Sequence, residues 1–324
     1  MWPVSIGIPQ TAERSTWLFV DGAAAVGNGK LAVPAFSWVQ TTANNWEYAS
    51  AVLVTDTVTG EKGTVELDGA LAGELVVDGD SVWVSHEENA GDVNGQPVSK
   101  YYADRLDLTS VTAPVIAARV NIPGQLVGVN GATIFTRDYA WTPDGLLESA
   151  LAELTVDGEV AVLRSYLKID GYLGRVVVRE GRIFGTTQAT TYDMANPGNL
   201  LRVWSSTESQ PLAETFAMPL GGWMQVRDAR AGHLFLGTGY YGSPWGWGGG
   251  RATGGADVAV SDAGMRGGYY GTDGLFDYSL ADADAPEFRQ FVLTNGWVQG
   301  LDVQDDTLFV SSGIFGVQTV TLEP

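Results

Sequence analysis

Cysteine is absent from the 324 residues, which excludes a disulfide framework, a thiolate metal site and a cysteine nucleophile. The lack of disulfides leaves the compartment open, because a chain this long buries enough apolar surface to stand without them. Basic residues are few: 18 Lys and Arg stand against 38 Asp and Glu, a formal charge of −20. Such a balance disfavours phosphate backbones and anionic lipid surfaces, so nucleic acid is not expected as a partner. Lysine is the scarcer base, 4 against 14 arginines, read here as a genome-composition effect. No run of 18 uncharged apolar residues occurs, so no membrane span is expected. The first ten residues, MWPVSIGIPQ, have neither the basic region nor the apolar run of a signal peptide. The expectation is a soluble chain trimmed of any leader. Helical apolar stripes are almost missing, as are the Gly-x-Ser-x-Gly, His-Glu-x-x-His and phosphate-loop patterns.

What is there is turns and short strands. Glycine (42) and proline (13) are abundant, and alternating runs such as SVWVS, TIFTR and HLFLG recur behind tight-turn signals. The chain reads as all-β. Placing a second strand after each turn gives starts at Lys30, Ser81, Thr133, Arg182, His233 and Thr307, at intervals of 51, 52, 49, 51 and 74 residues. A second marker opens each unit: Gly22-Ala23, Gly69-Ala70, Gly124-Gln125, Gly171-Tyr172, Gly222-Trp223 and Gly296-Trp297. The 28 residues after Gly296 and the 22 up to Gly22 together amount to one more repeat length.

Six units of about 50 residues, each with four short strands, predict a six-bladed β-propeller, since radial repetition leaves few strand edges exposed. The whole chain, 1–324, then forms a single domain. The closure arithmetic predicts a ring fastened by its termini, with an outer strand over 14–20 pairing with a strand over 316–322. The one long interval is a Gly/Trp-rich insertion, 240–271, between the second and third strands of the fifth blade.

The run YYADRLDLTSVTAPVIAARVNIPG (101–124) resembles the repeat unit of secreted bacterial β-propellers of the LVIVD-repeat type, with a weaker echo in YSLADADAPEFRQFVLTNG (278–296) and in the final SSGIFGVQTVTLEP. The resemblance implies export to the cell envelope or beyond it and implies no activity. The segment VTDTVTGEK (54–62) has the Asp-x-x-Thr-Gly turn of quinoprotein propellers, but their tryptophan spacing is not repeated, and no cofactor is expected.

In a propeller the first strand of each blade lines the channel, and loops between blades share a face with loops joining second and third strands. Strand offsets then place His86 near that face and His233 at the opposite one, where it reads as an exposed hairpin residue. No shared metal site is expected from them. SHEEN (85–89) reads as a loop at the channel mouth, and its His86, Glu87 and Glu88, with Asp138, are the residues available for carboxylate-dependent chemistry. GDVNG (91–95) and LADADAP (280–286) carry alternating acids, yet neither completes a calcium loop. They read as acidic turns.

Aromatic residues give the stronger signal. Tyr172, Trp223 and Trp297 occupy the unit-start position in blades four to six, where blades one to three carry Ala23, Ala70 and Gln125. Gln225 and Gln299 follow two residues after the tryptophans. The insertion adds Tyr240, Tyr241, Trp245 and Trp247, and residues 237–255 hold nine glycines in nineteen positions. A flat stacking surface with amide donors beside it suits sugars or aromatic groups. The expected function is a binding module for a protein partner or a glycan. The alternative is a carboxylate-dependent glycan hydrolase or lyase at the channel mouth.

Overall fold

The computed structural model describes residues 16–20, 24–27, 29–42, 45–78, 81–93, 96–141, 147–179, 181–188, 199–207, 209–220, 224–238, 274–296, 298, 300–312 and 316–322. Six antiparallel sheets follow one another along the chain, the blades of a six-bladed β-propeller. The chain divides into two compact units, 1–126 and 127–324.

The first unit holds two sheets. The first sheet contains β1 (Thr16–Val20), β2 (Ala24–Val26), β3 (Lys30–Thr42), β4 (Asn45–Asp56) and β5 (Lys62–Leu67). The second contains β6 (Ala70–Leu71), β7 (Val76–Asp78), β8 (Ser81–Val93), β9 (Gln96–Asp107) and β10 (Val115–Ile122). Between them lies a core of Val52, Val54, Val65, Val82, Val84 and Leu106 with their neighbours.

The second unit starts within the third sheet, whose strands are β11 (Gln125–Asn130), β12 (Thr133–Trp141), β13 (Leu147–Asp157) and β14 (Val160–Asp170). The fourth sheet has β15 (Tyr172–Arg179), β16 (Arg182–Gln188), β17 (Leu200–Thr207) and β18 (Gln210–Pro219). The fifth has β19 (Met224–Arg230), β20 (His233–Thr238), β21 (Gly274–Ser279) and β22 (Glu287–Leu293), and the sixth β23 (Gly300–Gln304), β24 (Thr307–Ser311) and β25 (Val317–Thr321).

Apolar runs such as VVV, IFG and LFL arise because these sheets bury both faces, and successive side chains on a strand point oppositely. On β15, Val176 and Val178 enter one core with Phe135 and Trp204, while Val177 enters the next with Phe184 and Leu234. On β20, Leu234 and Leu236 face that same core, whereas Phe235 joins Leu275, Leu308 and Val310 on the other side.

Every second strand begins at the residue that the turn signals mark: Lys30, Ser81, Thr133, Arg182, His233 and Thr307. The turn before His233 puts an alanine under strain. Ala231 and Gly232 both have positive φ, 50° and 78°, as a type I′ hairpin requires, and alanine meets a steric penalty there that asparagine or glycine tolerates better. Ala231→Asn should therefore stabilise the protein by about 0.5–1 kcal/mol, seen as a higher urea midpoint at an unchanged slope. An unchanged or lower midpoint would show that the turn carries no such strain.

The N-terminal strand departs from expectation. β1 does not pair with 316–322 but runs antiparallel to β3, with Thr16 opposite Val39 and Val20 opposite Ala35. β2 continues the same edge, Ala24 opposite Ala32. The reason lies in β3, whose 13 residues are about twice the usual strand length and take two short strands along one edge. Length arithmetic alone could not separate this pairing from a closing strand. The last sheet accordingly has three described strands.

First strands elsewhere are also interrupted. In the second sheet β6 pairs with Glu87 and His86 while β7 pairs further along β8. In β15 the register shifts between Leu173 and Val176, and in β19 between Val226 and Asp228. Such bulges turn side chains out of the regular ladder.

Candidate functional site

The two histidines fall in different units, and each is buried against an aspartate. SHEEN is not a loop: residues 85–89 lie within β8, and the register sets His86 opposite Tyr102 and Val84 opposite Asp104. On the next strand Arg119 lies opposite Asp104. Directly opposed residues share a face, so these side chains are brought into one row.

His86 has no exposed surface. Its Nδ1 lies 3.1 Å from Asp104 Oδ2 and its Nε2 3.3 Å from Glu88 Oε1. The ring stacks on Tyr102 at 5.3 Å between centroids. Arg119 donates from Nε to Asp104 Oδ1 at 2.8 Å and from Nη2 to Oδ2 at 3.2 Å, and its Nη1 donates to Asp68 Oδ2 at 2.6 Å. That guanidinium holds the Asp68 carboxyl below its ordinary range, by hydrogen bond first and by charge second. Above the imidazole passes Gly69, where a Cβ would stand 2.2 Å from the Glu87 carbonyl oxygen and 3.1 Å from His86 Cδ2. The segment joining the two blades therefore closes over the ring.

This arrangement ties a blade junction together and leaves the imidazole no route to a solvent-borne substrate. Glu87 and Glu88 are consecutive on a strand and so point to opposite faces. Asp138 lies on β12 in the second unit and accepts a hydrogen bond from the Tyr139 backbone N–H at 2.8 Å.

His233 begins β20 as its turn signal indicates, yet it is 8% exposed rather than solvated. Its Nδ1 is 2.8 Å from Asp277 Oδ1, and Gln290 Nε2 donates to Asp277 Oδ2 at 3.1 Å. The backbone N–H of Leu280 donates to the Gly232 carbonyl, folding the next turn against the hairpin. The third blade repeats the theme with Glu153, 2% exposed, accepting from Arg164 Nη1 at 3.1 Å. Three third strands thus bury a carboxylate beside a donor from the fourth strand. Sequence reading missed this because an isolated acid in a strand ordinarily marks its wet face. The available signal was acid between apolar neighbours, as in ALAEL and LFDYS.

Of the acidic turns, LADADAP is bound to protein groups: Asp284 accepts Arg182 Nε at 3.0 Å and Nη2 at 2.9 Å, and the guanidinium lowers its carboxyl from the ordinary range. Part of GDVNG lies outside the described residues. Among the described residues no three or more His, Cys, Asp or Glu side chains are grouped to hold a metal.

The aromatic candidates divide. Trp223, Tyr240, Tyr241, Trp245, Trp247, Trp297 and Gln299 lie outside the described residues, as does the segment 239–273 that joins β20 to β21. Tyr172 and Gln225 are described, both half-buried. Tyr172 stacks on Tyr139, 5.4 Å between centroids and 9° from parallel. The Arg137 guanidinium lies 5.1 Å over the Tyr139 ring and donates from Nη1 to the Gly174 carbonyl. Tyr139 Oη donates to the Leu173 carbonyl at 2.7 Å.

Gly174 is the centre of this group. A Cβ on it would meet Thr186 Oγ1 at 3.1 Å and Gln225 Cγ at 3.9 Å, so its bareness lets three strands approach. Gln225 pairs in register with Gly237, and Arg227 Nε lies 2.6 Å from where a Gly237 Cβ would be. Stack, guanidinium and amide are thereby assembled on β12, β15 and β19, each from a half-buried side chain. Arg137 and Tyr139 carried no sequence mark, since their role depends on a neighbouring blade.

No family model matches this chain, and no curated protein matches it. Among the described residues no helix is long and apolar enough to cross a membrane. Solved structures with similarity include the β-propeller domain of the Trilobed protease from Pyrococcus furiosus, at 11% identity and TM-score 0.46 over 95% of this chain and 98% of that one. An acylaminoacyl peptidase from Pyrococcus horikoshii matches at 9% identity and TM-score 0.47, over 94% of this chain and 52% of the peptidase, so this chain spans about half the peptidase's length. A Trypanosoma rangeli sialidase mutant displaying trans-sialidase activity matches at 9% identity and TM-score 0.47, over 93% of this chain and 53% of that one. The activities of these proteins are not thereby this chain's own.

Proposed function

We propose that this protein is a glycan-binding propeller module, acting outside the cytoplasm, with its binding surface on the third to fifth blades. The observation that carries the reading is the parallel Tyr139–Tyr172 stack with Arg137 over it, next to Gly174 and Gln225. Half-buried aromatic faces and amide or hydroxyl donors at fixed positions are what a sugar ring uses, its C–H face against the ring and its hydroxyls to the donors. Export is supported only by the resemblance of residues 101–124 to secreted propellers. Nothing in the His86 cluster favours the enzymatic alternative, because its imidazole is sealed and its adjacent glutamates diverge.

An oligosaccharide array followed by calorimetric titration of the sugar retained tests this reading. Tyr172→Ala should weaken that binding by about 1–3 kcal/mol, the range of an aromatic contact to an interface hot spot, with a small change in melting temperature. A blank array overturns the glycan reading in favour of a protein partner. Unchanged binding with a collapsed melting temperature assigns the tyrosine pair to packing.

A further inference from the structure

Among the described residues, the first and second strands of blades three to five carry charge against the chain's overall sign. The chain carries 38 acidic residues against 18 basic. Near the hairpin turns of the fourth and fifth blades, arginines are paired with carboxylates, Asp228 being shared by Arg179 and Arg230. Arg179 lies 3.6 Å from Asp228, Arg182 2.9 Å from Asp284, and Arg230 2.5 Å from Asp302. Away from those turns, the described parts of the first and second strands in blades three to five carry Arg137, Arg175 and Arg227 and a single carboxylate, Asp138. All three guanidinium groups are held by other groups of the protein, so the departure is one of net sign.

These cations share a locality. β15 runs beside β19. Arg137 donates to the Gly174 carbonyl, Arg175 follows Gly174 in the same bulge, and Gln225 Cγ stands 3.9 Å from the Gly174 Cβ position. On the far side of Gln225 lies Gly237, over which the Arg227 side chain is laid. Arg227 is itself the extra residue of the β19 bulge, and bulges recur where a side chain is re-aimed next to a functional site. All three arginines are half-buried, where the field of a guanidinium is screened less than on an open surface. Arginine also matches the planar fork of a carboxylate better than lysine does.

We propose that the glycan held on the Tyr139–Tyr172 face is an acidic one, a sugar bearing a carboxylate that is received by Arg137 and Arg227 beside Gln225. The proposal rests on the binding reading above and adds to it the class of ligand. An anionic ligand would otherwise be repelled by a chain of this net charge, so a local cationic site also gives selectivity.

The test uses one sugar in two states: oligogalacturonate with free carboxylates, and the same oligomer as its methyl ester. Wild-type protein should bind the free acid at least ten-fold more tightly at low salt, and the preference should shrink as salt rises. Arg227→Gln and Arg137→Gln should each bring the two forms to within about two-fold, which is the loss of a charge-assisted hydrogen bond. Since Arg137 also supports Tyr139, Gly237→Ala serves as a second variant: it keeps every charge, displaces the Arg227 side chain, and should lower the preference by several-fold. Equal binding of acid and ester overturns the acidic assignment while the glycan reading stands. Failure of both forms to bind overturns it too, and neutral sugars on the array then decide the glycan reading separately.

Discussion

Replacing Arg119 by methionine should cost about 3–5 kcal/mol of folding stability, the usual penalty for stripping one partner from a buried ion pair. Asp104 has no exposed surface, and both its oxygens accept from the Arg119 guanidinium. Methionine keeps much of the stem's volume and removes the charge, leaving the carboxylate facing only His86 in an apolar blade junction. Chemical denaturation should show a lower midpoint. The double variant Arg119→Met with Asp104→Leu should recover most of the loss, because a buried pair replaced as a whole by apolar groups is often neutral. A midpoint unmoved by Arg119→Met would mean that water reaches Asp104 and that the pair behaves as a screened surface bridge.

Trp204→Ala should be comparably severe, about 3–5 kcal/mol, as for other large aromatic residues removed from a core. Trp204 is 1% exposed and packs between the third and fourth blades with Phe135, Leu151, Leu173 and Ile183. Its ring lies over Gly185, where a Cβ would come 3.0 Å from Trp204 Cζ3. The two residues are complementary in size, so the void left by the indole cannot be filled by its neighbour. Trp204→Phe should lose roughly half as much, in proportion to the smaller void, and the difference is readable in thermal midpoints. Equal midpoints for Trp204→Ala and wild type would show that this junction contributes nothing to stability.

Much of the fold was legible because β-structure is written locally. Turn residues such as Asn130-Gly131 and Gly181 state where a hairpin reverses, and alternation states which way each strand faces. Repetition at about 50 residues then multiplies one reading by six. The candidate site was legible only in part. Tyr172 and Gln225 could be found by their repeat position, while Arg137, Tyr139 and Arg227 could not. Their meaning comes from Gly174 and Gly237, whose missing side chains admit them.

By itself the sequence determined the all-β class, the blade count, the start of every second strand and the excess of acid that makes a cationic site notable. Tertiary structure alone decided the rest. It turned His86 and His233 from surface candidates into buried partners of Asp104 and Asp277, and it gave the N-terminal strand to β3 instead of the C-terminal sheet. The physical reason is common to both outcomes. Turn and alternation signals depend on neighbours in the chain, whereas burial and edge pairing depend on what another strand presents across about 5 Å of space, and that neighbour is brought there only by folding.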